Sequence, residues 1–114
     1  METRRQQKMQ VLIKEEMSKF LQREGSNYYG TQFVTVTDVR ITPDMHLCRI
    51  YVSVFNVATP QQTVDRLNAH IKDIRKRFGN IMRGDLRIIP ELEFILDDTL
   101  DNVFKLEQLL NDLK

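Results

Sequence analysis

The chain is poor in the residues from which reactive sites are commonly built. Its 114 residues include one cysteine, no tryptophan, two histidines and four glycines. A single cysteine excludes an intrachain disulfide and a thiolate metal cluster. His46 and His70 have no second ligand at metal-binding spacing, and the three serines have no evident activating base. Since no P-loop, GxGxxG or GxSxG sequence occurs either, we predict a non-catalytic binding protein without metal, cofactor or small-molecule substrate.

Long apolar runs are also absent. No run approaches the roughly 20 residues that span a bilayer, and the charged N-terminus leads into no apolar segment of the kind found in secretory signals. Hydrophobic residues at 41% and charged residues at 29% are typical of a globular protein. The length suits one domain with a modest core. We therefore predict a single domain over residues 1–114, a cytoplasmic monomer without membrane contact.

Hydrophobic periodicity predicts the order helix, strand, strand, helix, strand, helix. The first helix covers about residues 2–21, and Gly25 follows its end. Strands are predicted over residues 32–41 and around 48–54, with a turn at Thr42-Pro43-Asp44 between them. Cys48 falls on the apolar face of the second strand and is interpreted as a small buried hydrophobe.

The second half of the chain continues this pattern. Thr59-Pro60 opens the central helix, and Gly84 ends it. The third strand covers residues 86–96, with Pro90 indicating an edge or a bulge. Asp97 and Asp98 are interpreted as caps of the last helix instead of a catalytic carboxylate pair. The apolar helix stripes are Met9, Leu12, Ile13, Met17 and Phe20 in the first helix, Val64, Leu67, Ile71, Ile74, Phe78 and Ile81 in the central helix, and Val103, Leu106, Leu110 and Leu113 in the last.

Charge is distributed unevenly although the formal net charge is only +1. Residues 71–87 carry six basic and two acidic side chains, and residues 1–23 carry six basic and three acidic ones. From Glu91 onward seven acidic residues face two lysines. A local excess of positive charge attracts a polyanion more directly than the overall charge does.

Four short sequence motifs, in this order along the chain, indicate a family resemblance. They are Thr35-Val36-Thr37-Asp38-Val39, Thr42-Pro43-Asp44, Tyr51-Val52-Ser53-Val54, and Arg87-Ile88-Ile89-Pro90-Glu91-Leu92-Glu93-Phe94 with Asp97-Asp98-Thr99 after it. Together they resemble the ribosome-binding factor A family. The resemblance implies an RNA-binding assembly factor that associates with free or immature small (30S) ribosomal subunits, on precursor 16S rRNA, and assists its late maturation.

The resemblance also implies a fold, an α+β type II KH-like domain with helices packed on one face of a three-stranded sheet, plus a C-terminal amphipathic helix. In that family an Ala-x-Gly kink divides the central helical region, where ordinary KH domains have a GxxG loop. Here His70 and Lys72 stand at those two positions. The region is therefore either kinked without its small residues or close to one continuous helix.

Five cations of the central helical region form the candidate RNA site. At about 100° per residue, Lys72, Lys76 and Arg83 share one face of a helix, away from the apolar stripe. Gly79 lies between them and is expected to let a phosphate approach the backbone. Any one cation alone is best explained as a solvated helix face; as a group, and given the resemblance, we interpret them as an RNA-binding ridge. Its members are Lys72, Arg75, Lys76, Arg77 and Arg83, with Arg4, Arg5 and Lys8 as a second patch.

Two other classes of function remain open at this point. A protein-interaction module would use the acidic last helix, and a small hydrolase would need a site that the sequence does not display. Tyr28, Tyr29 and Tyr51 offer rings for base stacking, but packing and ordinary surface roles explain all three better.

Overall fold

The computed structural model describes residues 2–55 and 57–97. Seven elements follow one another along them; the predicted order holds, except that a short helix lies in the predicted connection before the first strand and the central helix is divided in two. They are α1 (Arg4–Glu24), α2 (Ser26–Tyr29), β1 (Phe33–Ile41), β2 (Leu47–Phe55), α3 (Pro60–Ala69), α4 (Ile71–Ile81) and β3 (Glu91–Leu96). No helix in these residues is long and apolar enough to cross a membrane.

Helix α1 starts at a capping box. The Gln6 amide donates to the Thr3 hydroxyl (3.1 Å), and the Thr3 amide donates to the Gln6 side chain (2.9 Å), so two free amides of the first turn are satisfied. The predicted apolar face is buried at Ile13, Met17 and Phe20. The helix continues past the predicted end at residue 21 because Gly25 itself adopts a helical conformation.

Strands β1 and β2 form the predicted hairpin around Thr42-Pro43-Asp44. They pair antiparallel, with an irregularity between Val36 and Asp38. Cys48 is fully buried on the inner face, and burial raises the pKa of its thiol to about 12. The interpretation of this cysteine as an inert core residue is therefore confirmed.

The central helical region consists of two helices that meet at His70. Of the two possibilities left open by the sequence, a kinked region and one continuous helix, the kinked region is therefore correct. After this break Ile74 and Phe78 are buried as predicted, but Ile81 is 38% exposed and Met82, four residues after Phe78, takes its place in the core. The prediction of one stripe ending on Ile81 is therefore wrong. Ile71, next to the break, is only partly buried.

Strand β3 is shorter than the predicted strand over residues 86–96. It begins at Glu91, directly after Pro90, and pairs parallel with β2, so that Ile50 lies opposite Phe94. Residues 86–90 are held away from the sheet because their last two carbonyls bind a side chain of α4, described below. Proline has no amide hydrogen for a ladder bond, so the strand cannot extend through Pro90 as a paired residue.

The sheet order is β1-β2-β3, and the helices pack on one face of it. The inner face is fully buried at Ile50 and Val52, whereas Arg49, Glu91 and Glu93 on the other face are exposed. The predicted α+β architecture is confirmed for the described residues.

Side-chain amides bind the backbone of both outer strands. Gln6 donates to the Ile41 carbonyl (3.0 Å), and the Ile41 amide donates to Gln10 (2.9 Å). At the other edge, the Asn68 amide group exchanges two hydrogen bonds of 2.9 Å with the backbone of Phe94. These contacts satisfy backbone groups at strands that are otherwise open to pairing with another chain.

The predicted last helix, with its stripe from Val103 to Leu113, lies outside the described residues, as does its proposed cap at Asp98. Asp97 is described, and its carboxylate accepts a hydrogen bond from the Thr37 hydroxyl at 2.6 Å. The acidic surface predicted for the C-terminal helix therefore stays a prediction.

We expect Phe94→Ala to lower the free energy of unfolding by about 3–5 kcal/mol, because this ring is 2% exposed in the centre of the core. Ile71→Ala should cost clearly less, since Ile71 is only partly buried. Urea denaturation followed by circular dichroism measures both losses, with the exposed Val11→Ala as control. Equal losses at positions 71 and 94 would contradict the break at His70.

Candidate nucleic-acid interface

Lys72, Lys76, Arg83 and Arg87 line one open groove, hereafter the cationic groove, with a volume of about 510 Å³. Lys72 and Lys76 are one turn apart on α4, so they project from the same side of that helix. Arg83 lies beyond the end of α4. The chain turns after Met82 and runs back beside the helix, which brings Arg83 and Arg87 to the two lysines.

These four cations are available to a ligand. All four side chains are exposed, and none forms an ion pair or a side-chain hydrogen bond within the described residues. Unpaired cations that converge on one concave surface create a positive potential that is screened less than that of scattered surface charges. The groove is therefore suited to an anionic polymer.

Arg75 differs from its neighbours, because its side chain binds the backbone of the segment before β3, which forms one wall of the groove. Its Nε donates to the carbonyl oxygen of Pro90 (3.0 Å), and its Nη2 donates to that of Ile89 (2.6 Å). Two charge-assisted hydrogen bonds from one planar group fix the segment before β3 against α4. We therefore expect Arg75 to act on binding mainly by positioning Arg83 and Arg87.

Arg77 is engaged on the opposite side of α4. Its guanidinium lies 3.3 Å from the Glu24 carboxylate and 3.2 Å from that of Asp73. Asp73 also accepts a hydrogen bond from the Tyr28 hydroxyl at 2.8 Å. The sequence grouped Arg77 with the ridge, but the structure places its charge in a network between α1, α2 and α4.

The same network explains the tyrosines of α2. Tyr28 and Tyr29 are 8% and 7% exposed, so packing is their role here and base stacking is not. Burial, followed by the hydrogen bond to Asp73, raises the pKa of Tyr28 to about 12. The bond to Tyr28 and the nearby Arg77 lower the pKa of Asp73. Tyr28 also packs on the ring of His70, with ring centres 5.4 Å apart, at the break between α3 and α4.

Gly79 allows close packing against α4. A Cβ atom at this position would lie 3.2 Å from Cγ1 of Ile89, so the absence of a side chain lets Ile89 close against α4. Together with the Arg75 contacts, this close approach sets the width of the groove. Gly79 also lines the cationic groove, and the expectation that it lets a phosphate approach the backbone stays a prediction.

Of the three residues in the second predicted patch, only Arg5 lies close to the cationic groove. Arg5 lines a neighbouring pocket that shares Leu86 and Arg87 with the cationic groove. Arg4 and Lys8 are exposed on the first turns of α1 and line neither depression. The structure therefore extends the candidate interface from Lys72 to Arg5.

Arg87 is the residue that sequence reasoning missed. It was counted in the charge of residues 71–87 but was placed in the predicted third strand. The angular argument that grouped the lysines applies only within a helix, so it did not include Arg87. The signal that could have identified it is Gly84-Asp85, a pair that favours a turn between the end of α4 and the strand, so that the chain can run back beside the helix. Within residues 2–55 and 57–97, no three His, Cys, Asp or Glu side chains come together as a metal site.

Comparisons with known proteins agree on one family. The family model described as ribosome-binding factor A matches residues 5–110. A ribosome-binding factor A from Cytophaga hutchinsonii is 33% identical over 113 residues, which cover 99% of this chain and 85% of that protein. The protein of the same description from Chlorobaculum tepidum is 37% identical over 107 residues, covering 88% and 89%.

Solved structures show the same fold. The crystal structure of ribosome-binding factor A from Thermus thermophilus matches with a TM-score of 0.65 and 19% identity, covering 80% of this chain and 94% of that one. A homology model of the Thermus protein, fitted into the cryo-EM map of its complex with the 30S subunit, has a TM-score of 0.61 at 20% identity, covering 77% and 90%. These likenesses confirm the predicted type II KH-like fold.

Lys76 and Arg77 provide a matched test of the candidate interface, because they are adjacent cations on α4 with different surroundings. We expect Lys76→Gln to weaken binding of a labelled RNA hairpin several-fold and to reduce the salt dependence by about one unit of slope. Arg77→Gln should change neither, since its charge is already paired with Glu24 and Asp73. Fluorescence anisotropy across a salt series measures both quantities. Equal effects of the two substitutions would show that total charge, and not the groove, determines affinity.

Proposed function

The chain belongs to the ribosome-binding factor A family, and on this premise we propose that it binds free or immature small (30S) ribosomal subunits and assists late maturation of 16S rRNA. The observation that carries the proposal is the cationic groove, where four cationic side chains with no ion pair in residues 2–55 and 57–97 converge between α4 and the segment before β3. The proposed action is that of a non-catalytic cytoplasmic monomer, in which residues 1–114 work as one binding domain.

Phosphate groups are the ligand class that this groove suits best. Lysine and arginine side chains bind phosphate oxygens through charge and hydrogen bonds, and such contacts position a nucleic acid without reading its sequence directly. Folded RNA concentrates phosphates on a defined surface, so a rigid cationic groove favours one folded arrangement over others. Arg4, Arg5 and Lys8 would add longer-range attraction at the adjoining end of α1.

A protein can assist the maturation of RNA by binding alone, because binding is thermodynamically linked to the conformation of the RNA. A protein that binds one conformation of the subunit RNA more tightly than another shifts the population toward that conformation, by as much as the two affinities differ. No bond needs to be made or broken by the chain for this effect. The protein would then leave when the mature subunit no longer presents the preferred arrangement.

We expect the chain to co-sediment with free or immature small subunits in preference to assembled ribosomes. The variant with Lys72→Gln, Lys76→Gln and Arg83→Gln should lose most of this binding, because three of the four unpaired groove cations are removed while glutamine preserves helix propensity. Sucrose-gradient fractionation of cell extract, with immunodetection of the chain in each fraction, measures the distribution.

The control for this experiment is Arg77→Gln together with Lys14→Gln and Lys19→Gln, which removes as much charge from outside the groove. Circular dichroism establishes that both triple variants fold. Recovery of the wild-type chain only at the top of the gradient, or equally in every fraction, would contradict the proposal. Loss of binding in the control variant alone would move the interface to α1.

A further inference from the structure

A second depression, hereafter the hairpin pocket, adjoins the cationic groove at Leu86 and Arg87. It lies between the start of α1, the β1–β2 turn and the segment before β3, with a volume of about 490 Å³. This size is within the range of pockets that hold small-molecule groups, roughly 300–1,000 Å³. The ridge predicted from the sequence does not account for this pocket.

The pocket combines an apolar floor with a charged rim, which holds Asp44 and Asp85 as well as two arginines. Met9, Met45 and Leu86 line it and are partly buried against the core, whereas Arg5 and Arg87 are exposed and form no ion pair within the described residues. An apolar surface with guanidinium groups at its edge suits a flat aromatic group attached to a phosphate. A nucleotide is such a group, and its base would lie on the floor while its phosphates face the rim.

Ile88 is the least expected residue of this surface. Its side chain is 62% exposed between Arg87 and the Ile89 that closes the groove. A single exposed aliphatic side chain is not unusual by itself, but this one lines the hairpin pocket beside Arg87, where it would extend the apolar surface offered to a base. Val11, which is 60% exposed on α1, lines neither the pocket nor the groove and provides a comparison.

The β1–β2 turn that forms one wall is held in an uncommon conformation. Met45 has a φ of 65°, in the left-handed region that favours glycine or asparagine. The turn is stabilised by the Asp44 carboxylate, which accepts hydrogen bonds from the Thr42 hydroxyl (2.6 Å) and the His46 amide (3.1 Å). This conformation keeps a methionine side chain at the pocket where glycine would offer none. Residues in such conformations cluster at functional sites, which is consistent with a role for this wall in binding.

The Asp85 carboxylate is the acceptor in the pocket that we expect to select among bases. The Asp44 carboxylate is engaged in the turn, but that of Asp85 has no side-chain partner within the described residues. A carboxylate accepts hydrogen bonds from an exocyclic amino group, such as N4 of cytosine, and repels a carbonyl oxygen, such as O4 of uracil. Uracil has a donor only at N3, between two carbonyl oxygens that the carboxylate repels, so Asp85 favours cytosine.

From these observations we infer that the hairpin pocket receives one unpaired nucleobase that bears an exocyclic amino group, next to a phosphate held by Arg87. The inference rests on the proposed function, because the RNA is the one whose phosphates occupy the cationic groove. It adds a sequence preference that the groove alone does not supply. The occupant is an unpaired base because a base inside a duplex cannot present its face to the pocket floor.

The test compares three probes of equal length: oligocytidine, oligouridine and a ribose-phosphate oligomer without bases. We expect oligocytidine to bind the wild-type chain about tenfold more tightly than oligouridine, the difference that one hydrogen bond to a charged acceptor makes. Asp85→Asn should reverse or abolish this preference, because the amide can donate to O4 of uracil. Fluorescence anisotropy gives the three affinities.

The apolar contact is tested separately with exposed side chains that folding does not require. Ile88→Ser should weaken oligocytidine and oligouridine binding and leave the oligomer without bases unchanged, whereas Val11→Ser should change none of the three. The groove variant with Lys72→Gln, Lys76→Gln and Arg83→Gln should weaken all three probes alike.

The outcomes separate this inference from the proposed function. Equal binding of all three probes to the wild-type chain, with loss in the groove variant, would overturn the base pocket and leave the phosphate groove in place. Loss of subunit binding in Ile88→Ser, with no change for any oligonucleotide, would also overturn it and assign the pocket to a ribosomal protein. Binding of no probe and of no subunit would refute the proposed function itself.

Discussion

The parallel pairing of β2 with β3 is the constraint on which the rest of the structure depends. Parallel neighbours need a crossover connection, and here α3 and α4 supply it on one face of the sheet. The chain must then return from the end of α4 to the start of β3 over residues 82–90. The two hydrogen bonds from Arg75 and the close approach of Ile89 to Gly79 hold this return segment beside α4.

The return segment, residues 82–90, brings charged residues that are distant in sequence to one surface. Arg83 and Arg87 belong to it, while Lys72 and Lys76 belong to α4, so the groove exists only where the two are packed together. The cations differ in what they contact: Arg77 is paired across the opposite side of α4, and Arg75 binds backbone carbonyls. Cations of similar sequence context thus have separate roles in pairing, positioning and ligand binding.

Much of the fold could be predicted from sequence, because alternation and helical spacing report directly on burial. Cys48, Met17 and Phe94 were assigned to the core in this way and lie there. The break at His70 was left open because periodicity alone does not show where a helix ends when no glycine or proline marks the place. Met82 replaces Ile81 in the core because the buried face of α4 continues at four-residue spacing from Ile74 and Phe78, where a three-residue step was predicted.

The candidate site was only partly predictable, since its geometry depends on contacts between distant segments. Nothing in the order of residues shows that Arg75 would bind the Ile89 and Pro90 carbonyls, or that Arg87 would reach the lysines of α4. The β3 prediction began at residue 86 because Leu86, Ile88 and Pro90 continue the alternation of the strand. Their conformation is determined instead by Arg75, Gly79 and the missing amide hydrogen of Pro90.

The central claim, that RNA contacts the face formed by α4 and the return segment, is tested most directly by ultraviolet cross-linking of the chain bound to small subunits, with the adducts mapped by mass spectrometry. The account predicts RNA adducts on peptides from residues 71–89, and none on the outer face of α1 around Lys14 and Lys19. Adducts concentrated on that outer face, or on the exposed sheet face around Arg49, with residues 71–89 unmodified, would contradict it.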